Sequence, residues 1–317
     1  MEMPGSRMSI EQVEMWTSPH GRSLPRPGNR TLIMGILNCT PDSFSDGGKL
    51  ASVTMAVTRV RAMVDAGADI IDIGGESTRP GAEAVSEETE LNRVIPIIEA
   101  LRKTWPELPI SVDTYKGRVA DAALKSGADV INDIWGLMYG FSVQQRAELR
   151  DLAVLSPERG TTRPPSPMAK VVAQWKCPVI LMHNRLDKEY TDFWPDLLQD
   201  LKASKRVAES WGIQKHQLWL DPGFGFAKTP AENLEVLRDL RRLTSLEYPV
   251  VVGTSRKSTI GKVLGTEVED RLEGSGATVV WAIQQGCSMI RVHEVREMTR
   301  FARMADAIKA GLDFKSS

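Results

Sequence analysis

At 317 residues the chain exceeds an ordinary single domain, although closed α/β barrels of about 250 residues are a recognised exception. Its 40 Lys plus Arg against 41 Asp plus Glu leave a formal net charge of -1. No global field therefore draws nucleic acid or an anionic membrane, and no apolar run approaches the roughly 18 residues of a membrane span.

Residues 1–30 hold Arg7, Arg22, Arg26 and Arg30 beside Glu2, Glu11 and Glu14, without an apolar signal core. They read as an N-terminal extension with no clear targeting segment, which leaves the cytoplasm or the mitochondrial matrix rather than secretion. Cys39, Cys177 and Cys287 are widely separated and lack Cys-x-x-Cys spacing, so neither a disulfide framework nor a zinc site is expected.

From Thr31 onward, short β-branched runs alternate with polar turns and amphipathic segments. Strands are expected at 31–37, 70–73, 110–112, 130–134, 179–182, 218–220, 250–252 and 289–292. Helices are expected at 52–66, 86–103, 116–125, 168–175, 193–211, 231–242, 271–285 and 295–310, and Gly67, Gly127 and Gly286 supply stop signals. Eight strands close a parallel barrel. The fold expected is α/β, a single (β/α)8 TIM barrel over 31–317 with a long insertion in the fourth βα loop at about 136–167, where Pro164, Pro165 and Pro167 gather.

Barrel enzymes carry reactive groups where strands end, and these ends are polar. The first runs into Asn38-Cys39-Thr40-Pro41-Asp42-Ser43-Phe44-Ser45-Asp46-Gly47-Gly48, a composition suited to a loop meeting a metal or phosphate and equally to simple turns. The second ends Gly74-Gly75-Glu76-Ser77-Thr78-Arg79-Pro80-Gly81, where glycines and donors could cradle an anion. Asp113, Asn132 with Asp133, and Asp221 end the third, fourth and sixth; they suit the amidine-like edge of a nitrogen heterocycle, or else tie loops and cap helices. After the seventh come Gly253-Thr254-Ser255-Arg256-Lys257-Ser258, and the eighth ends Arg291-Val292-His293, where this fold often binds phosphate. His183, after the fifth strand, suits packing better than ligation.

Together these blocks, with Asp221-Pro222-Gly223-Phe224-Gly225-Phe226, closely resemble the dihydropteroate synthase family of pterin-binding TIM barrels over about 31–310. The resemblance implies condensation of a dihydropterin methyl diphosphate with p-aminobenzoate, giving dihydropteroate and diphosphate in folate synthesis, in a target class of sulfonamides. It implies that Asp113, Asn132, Asp221 and Lys257 bind the pterin, and that Asn38, Thr78, Arg291 and His293 hold the diphosphate. Asn38 would also meet Mg²⁺. Phe44, Thr78, Pro80, Phe226, Lys257 and Ser258 would frame the p-aminobenzoate pocket, and Asn38, Asp46, Asp113, Lys257 and Arg291 would carry catalysis.

A homodimer through barrel helices seven and eight is the family expectation for partners. Bacterial members of the family often read Met-His-Met-Arg-Gly after the fifth strand, whereas this chain has Met182-His183-Asn184-Arg185-Leu186. The extension and long fourth loop look more like eukaryotic members, including fungal ones, often fused to other folate-pathway domains, so a separated domain or a stand-alone enzyme is expected. Two rival functions are a pterin-dependent methyltransferase on a related barrel and a non-catalytic pterin-binding protein. The complete first two loops and the Arg-x-His pair favour diphosphate chemistry.

Overall fold

Eight short apolar runs become eight parallel strands: β1 (Leu32–Asn38), β2 (Ile70–Gly74), β3 (Ile110–Asp113), β4 (Val130–Asp133), β5 (Val179–Met182), β6 (Leu218–Asp221), β7 (Val251–Val252) and β8 (Met289–Val292). The structure is a computed structural model and describes residues 16–28, 30–40, 48–77, 83–151 and 164–311. The strands form one sheet in the order β6-β5-β4-β3-β2-β1-β8-β7. A parallel bridge between Leu220 and Val250 joins its two ends, with the Leu220 N–H donating to the Pro249 carbonyl at 3.0 Å. The sheet therefore closes as the expected barrel.

Helices α1 (Gly48–Asp65), α2 (Glu87–Thr104), α3 (Gly117–Lys125), α4 (Val143–Asp151), α5 (Pro167–Trp175), α6 (Phe193–Ser210), α7 (Pro230–Arg238), α8 (Arg241–Thr244), α9 (Ser258–Leu264), α10 (Leu272–Gln284) and α11 (Val295–Ala310) accompany it. Their starts follow local chemistry. Ser86 caps α2 by accepting from the Thr89 N–H, and Thr229 and Glu232 close a reciprocal capping box on α7. Among the described residues no helix is long and apolar enough to cross a membrane.

The expected helix 231–242 is divided into α7 and α8, and two further helices were not expected. The fourth-loop insertion contains α4, started where the Ser142 and Gln145 side chains accept from each other's backbone N–H. Its run of Gln, Arg, Ala, Glu and Leu favours helix despite the turn-rich residues that follow. The other is α9, ended by Gly265 in the left-handed region. Gly261 and Gly274 interrupt the apolar pattern there because Arg271 and Ile260 pack where their Cβ atoms would lie.

Strand alternation sorts side chains into two cores. Ile33, Leu37, Ile71, Ile73, Val112, Ile131, Leu181, Leu220 and Val292 face the helices. Leu32, Met34, Ile70, Val130, Ile180, Trp219, Val251 and Met289 instead fill the barrel's lower interior. Each large side chain so buried contributes about 1.5–3 kcal/mol.

Residues 16–28 contribute two side chains to this lower core. Trp16 stacks on Trp219 with ring centroids 4.1 Å apart, and Leu24 joins the same cluster. Fully buried Asp129 locks the segment down. Its carboxylate accepts from Ser18 Oγ at 2.5 Å, Arg22 Nε at 2.8 Å, Arg102 Nη2 at 2.9 Å and the Ile110 N–H at 2.9 Å. An apolar floor sealed by a charged clasp thus supports the polar mouth above. Asp129→Ala leaves two arginines without their carboxylate and is expected to cost about 3 kcal/mol in urea unfolding; a loss below about 1 kcal/mol would contradict the clasp.

Candidate active site

The parallel register sets Asn38, Gly74, Asp113 and Asn132 side by side on β1 to β4. Neighbours in one such row point to the same face, so all four face the barrel axis. Gly74 keeps the row open: a Cβ there would lie 3.9 Å from Asn38 Oδ1 and 3.7 Å from the Asp113 Cβ. Two residues down β2, fully buried Asp72 faces the same interior.

Arg291 reaches from β8 across this space. Its Nε donates to Asp72 Oδ2 at 2.6 Å and its Nη2 to Asp113 Oδ2 at 2.7 Å. Asn132 Nδ2 donates to the same Asp72 oxygen at 3.0 Å. Asp72 was not singled out in the sequence, although a carboxylate inside the run Ile70-Ile71-Asp72-Ile73 was the available signal. The arginine thus braces two carboxylates at the end of β8.

Burial dominates the electrostatics. It pushes Asp113 up to about 7 against the opposing pull of Arg291, with Asp72 adding repulsion. It pushes Asp221 up to about 6, opposed by the Gly223 N–H, Lys257 and Arg291. Arg291 stays firmly charged: the burial penalty on it is outweighed by Asp72 and Asp113. Asp72 Oδ1, Asp113 Oδ1 and Ser111 Oγ are buried and meet no hydrogen-bond partner among the described residues. An unmatched buried acceptor costs about 1–3 kcal/mol, which a ligand carrying N–H donors would recover.

Asp133 has a different task. Its two oxygens accept from the Trp135 and Leu137 N–H groups at 2.9 and 2.7 Å, so it shapes the fourth loop. Burial pushes its pKa up to about 6.

On the opposite wall, Asp221 ends β6 and accepts from the Gly223 N–H at 2.6 Å. Lys257 Nζ lies 4.2 Å over the centre of the Phe226 ring, within range of a cation–π attraction. The stem of Lys257 passes Gly225, whose φ of +84° and missing side chain permit the approach. Ser258 starts α9 immediately after Lys257.

Ser255 Oγ lies 3.0 Å from His293 Nδ1 and 3.2 Å from Glu294 Oε2, while Glu294 also pairs with Arg256. With the hydroxyl donating to Glu294, the histidine donates from Nδ1, which fixes its ring orientation.

A second buried cluster supports the loop after β2. Lys116 Nζ donates to Glu76, to Glu90 Oε2 at 2.6 Å and to the Val85 carbonyl at 2.7 Å. Tyr115 adds a 2.7 Å bond to Glu76 Oε1. Glu76 of the second glycine-rich block is thus a structural anchor. Phe44, Asp46, Thr78 and Pro80 lie outside the described residues.

His183 behaves as a packing group: it is buried, 3.0 Å from Asp200 Oδ2 and 2.9 Å from Lys228 Nζ. Burial and Lys228 hold its pKa down at about 4. Arg185 from the same loop turns away from the mouth to donate to Asp200 at 2.7 Å. Among the described residues, no group of three or more His, Cys, Asp or Glu side chains could cage a metal.

A polar barrel mouth with paired carboxylates, two amides and two cations is the arrangement of an enzyme that holds a nitrogen heterocycle beside an anion. Residues 34–293 match the family described as pterin binding enzyme. Dihydropteroate synthase of Bacillus subtilis is 49% identical over 279 residues, covering 88% of this chain and 89% of that protein. The structure of dihydropteroate synthase from Clostridium difficile in the presence of pteroic acid aligns at a TM-score of 0.78 and 45% identity, covering 90% of this chain and 99% of that one. The Xanthomonas albilineans enzyme with 4-aminobenzoic acid aligns at 0.76 and 40% identity, covering 89% and 94%. The chain belongs to the dihydropteroate synthase family of pterin-binding enzymes. These relatives are bacterial, so the eukaryotic leaning of the extension and fourth loop gains no support from them.

Proposed function

We propose that this chain condenses (7,8-dihydropterin-6-yl)methyl diphosphate with p-aminobenzoate, yielding 7,8-dihydropteroate and diphosphate. The observation that carries the reading is the pair of buried, unmatched carboxylate oxygens on Asp72 and Asp113, set beside Arg291 in a chain 49% identical to a dihydropteroate synthase. Asp113, Asn132 and Asp221 accept from and donate to the pterin edge, and Lys257 donates to its carbonyl side. Arg291, His293, Asn38 and Thr78 hold the diphosphate, stabilising the charge that builds on the leaving group.

The reaction is a dissociative substitution. The bond from the exocyclic carbon to the diphosphate oxygen breaks, with its electron pair leaving on the diphosphate. A pterin-stabilised cation remains, the p-aminobenzoate nitrogen forms the new carbon–nitrogen bond, and that nitrogen then sheds one proton. Lys257 and Phe226 form one side of the second-substrate pocket with Ser258, and Phe44, Pro80 and Thr78 complete it. Asp46, from the same sequence block as Phe44, is assigned to catalysis by the family resemblance. This pocket is where sulfonamides compete.

The residues fit Mg²⁺ as an ion carried in with the diphosphate rather than as a caged cofactor. Asn38 offers one amide oxygen facing the mouth, and a hard cation of this size keeps most of its waters. When bound, the ion would neutralise diphosphate charge.

A homodimer is favoured by exposed Phe301, Met304 and Ile308, spaced to share one face of α11, with exposed Trp281 on α10 beside it. Its residence is placed in the cytoplasm, in keeping with three unpaired, buried cysteines. The mitochondrial alternative has no support from the bacterial relatives.

Purified protein supplied with Mg²⁺ and both substrates is expected to form dihydropteroate, and Lys257→Ala to form it about 100-fold more slowly. No product above the Lys257→Ala level would overturn the reading. A second expectation concerns pH, because Asp221 at about 6 and Asp113 at about 7 must be ionised to accept from the pterin. Both carboxylates sit above their ordinary range, so pterin affinity rises with pH through that window. Below about pH 6 it should fall by about 100-fold per pH unit in the unsubstituted protein, and by about tenfold in Asp221→Asn. Calorimetric titration with a free pterin checks this, and an identical profile in Asp221→Asn would contradict it.

A further inference from the structure

The turn after β6 carries Phe226, yet its backbone is awkward. Gly223, Gly225 and Ala227 have φ of +67°, +84° and +45°. For Ala227 the left-handed region costs about 1–2 kcal/mol, so something must hold it. Gly223 lies so close to β5 that a Cβ would collide with the His183 carbonyl oxygen.

What holds the turn is a buried lysine, whose pKa burial pushes down to about 7 against the pull of Asp221 and Asp200. Lys228, 5% exposed, donates from Nζ to the Gly223 carbonyl at 3.0 Å, the Phe226 carbonyl at 3.1 Å and His183 Nδ1 at 2.9 Å. In its ammonium form Lys228 has three donors, and these partners use all of them. His183 accepts at Nδ1 and donates from Nε2 to Asp200, so it is the neutral ring its lowered pKa requires. Asp200 is braced in turn by Arg185 and by Arg150 of α4. Tyr190, stacked 4.2 Å beneath Arg185, donates to the Ala227 carbonyl at 2.9 Å.

The Asp221 backbone has its own support, while burial raises the carboxylate's pKa and the charge of Lys228 helps to lower it. Asp221 belongs to the β5–β6 ladder opposite Met182, its carbonyl accepts from the His183 N–H at 2.9 Å, and its carboxylate is fixed by Gly223. Phe226 lies five residues further along the strained turn, under Lys257.

We infer that Lys228 is a positioning residue for the second substrate: by fixing the Gly223 and Phe226 carbonyls, it sets the Phe226 ring against Lys257 without touching either substrate. The inference rests on the p-aminobenzoate pocket proposed above. The neighbouring His183, Arg185 and Asp200 act as its scaffold, which gives the loop after β5 a task in a chain that departs from the Met-His-Met-Arg-Gly pattern.

The test is a cycle of Lys228→Met, Phe226→Ala and the double variant, read as kcat, KM for p-aminobenzoate and the Kd of a free pterin. Read at about pH 8, where Asp221 is ionised with or without Lys228, Lys228→Met should raise KM for p-aminobenzoate by about tenfold, with kcat and pterin Kd within about twofold. In the Phe226→Ala background the same substitution should shift KM by less than about twofold, because the ring it positions is gone. A merely structural role would move pterin Kd as much as KM, or give equal effects in both backgrounds, and either result overturns the inference, as does an unchanged KM. If Lys228→Met does not fold, Lys228→Gln keeps amide donors in place and carries the same cycle, with a KM rise of about threefold. Absence of turnover in the unsubstituted enzyme would instead remove the activity reading on which the inference stands.

Discussion

An arginine shared between two carboxylates inside the barrel is the interaction on which the site depends. Arg291 brings its charge into a space where burial alone would protonate Asp113, and Asp72 and Asp113 keep that charge in place. Neither partner is tolerable there without the other, since removing one member of a buried pair leaves an uncompensated charge. The pair also connects the two functions of the mouth. In the proposed function Asp113 takes the heterocycle, while Arg291, one strand from β1 and Asn38, takes the anion.

The remainder of the barrel makes that pair affordable. Eight inward apolar residues and the Trp16 stack form a floor with no polar demand of its own. Asp129 clasps the N-terminal segment to that floor at the end of the barrel away from the chemistry. Above it, three further ionisable side chains, two buried lysines and the half-buried Glu294, each serve a loop. Lys116 anchors the chain after β2, Lys228 the turn after β6, and Glu294, through Ser255 and Arg256, the turn after β7. The mouth is therefore positioned by its scaffold's ion pairs as much as by its strands.

Much of this was legible in the residues. All eight strands were, because each is a short apolar run bounded by turn residues, and Asp113, Asn132 and Asp221 were, because polar groups at strand ends stand out. Asp72 escaped notice because it lies inside its strand, where an inward carboxylate and a misplaced surface residue look alike. Lys228 escaped because a lysine after a glycine-rich turn reads as solvated, and only the fold brings His183 to it. α4 and α9 were missed because short helices carry little periodicity. The N-terminal extension gave no sign that Trp16 would meet Trp219, some two hundred residues away.

The central claim is that Asp72 organises both halves of the site through Arg291. Calorimetric titration of Asp72→Asn with a free pterin and, separately, with pyrophosphate and Mg²⁺ tests it most directly. The amide keeps the shape of Asp72 but loses the charge facing Arg291. The account predicts that both ligands bind about tenfold or more weakly, the loss expected when a buried charge pair is unbalanced. Pyrophosphate or pterin affinity remaining within about twofold of the unsubstituted protein would contradict it.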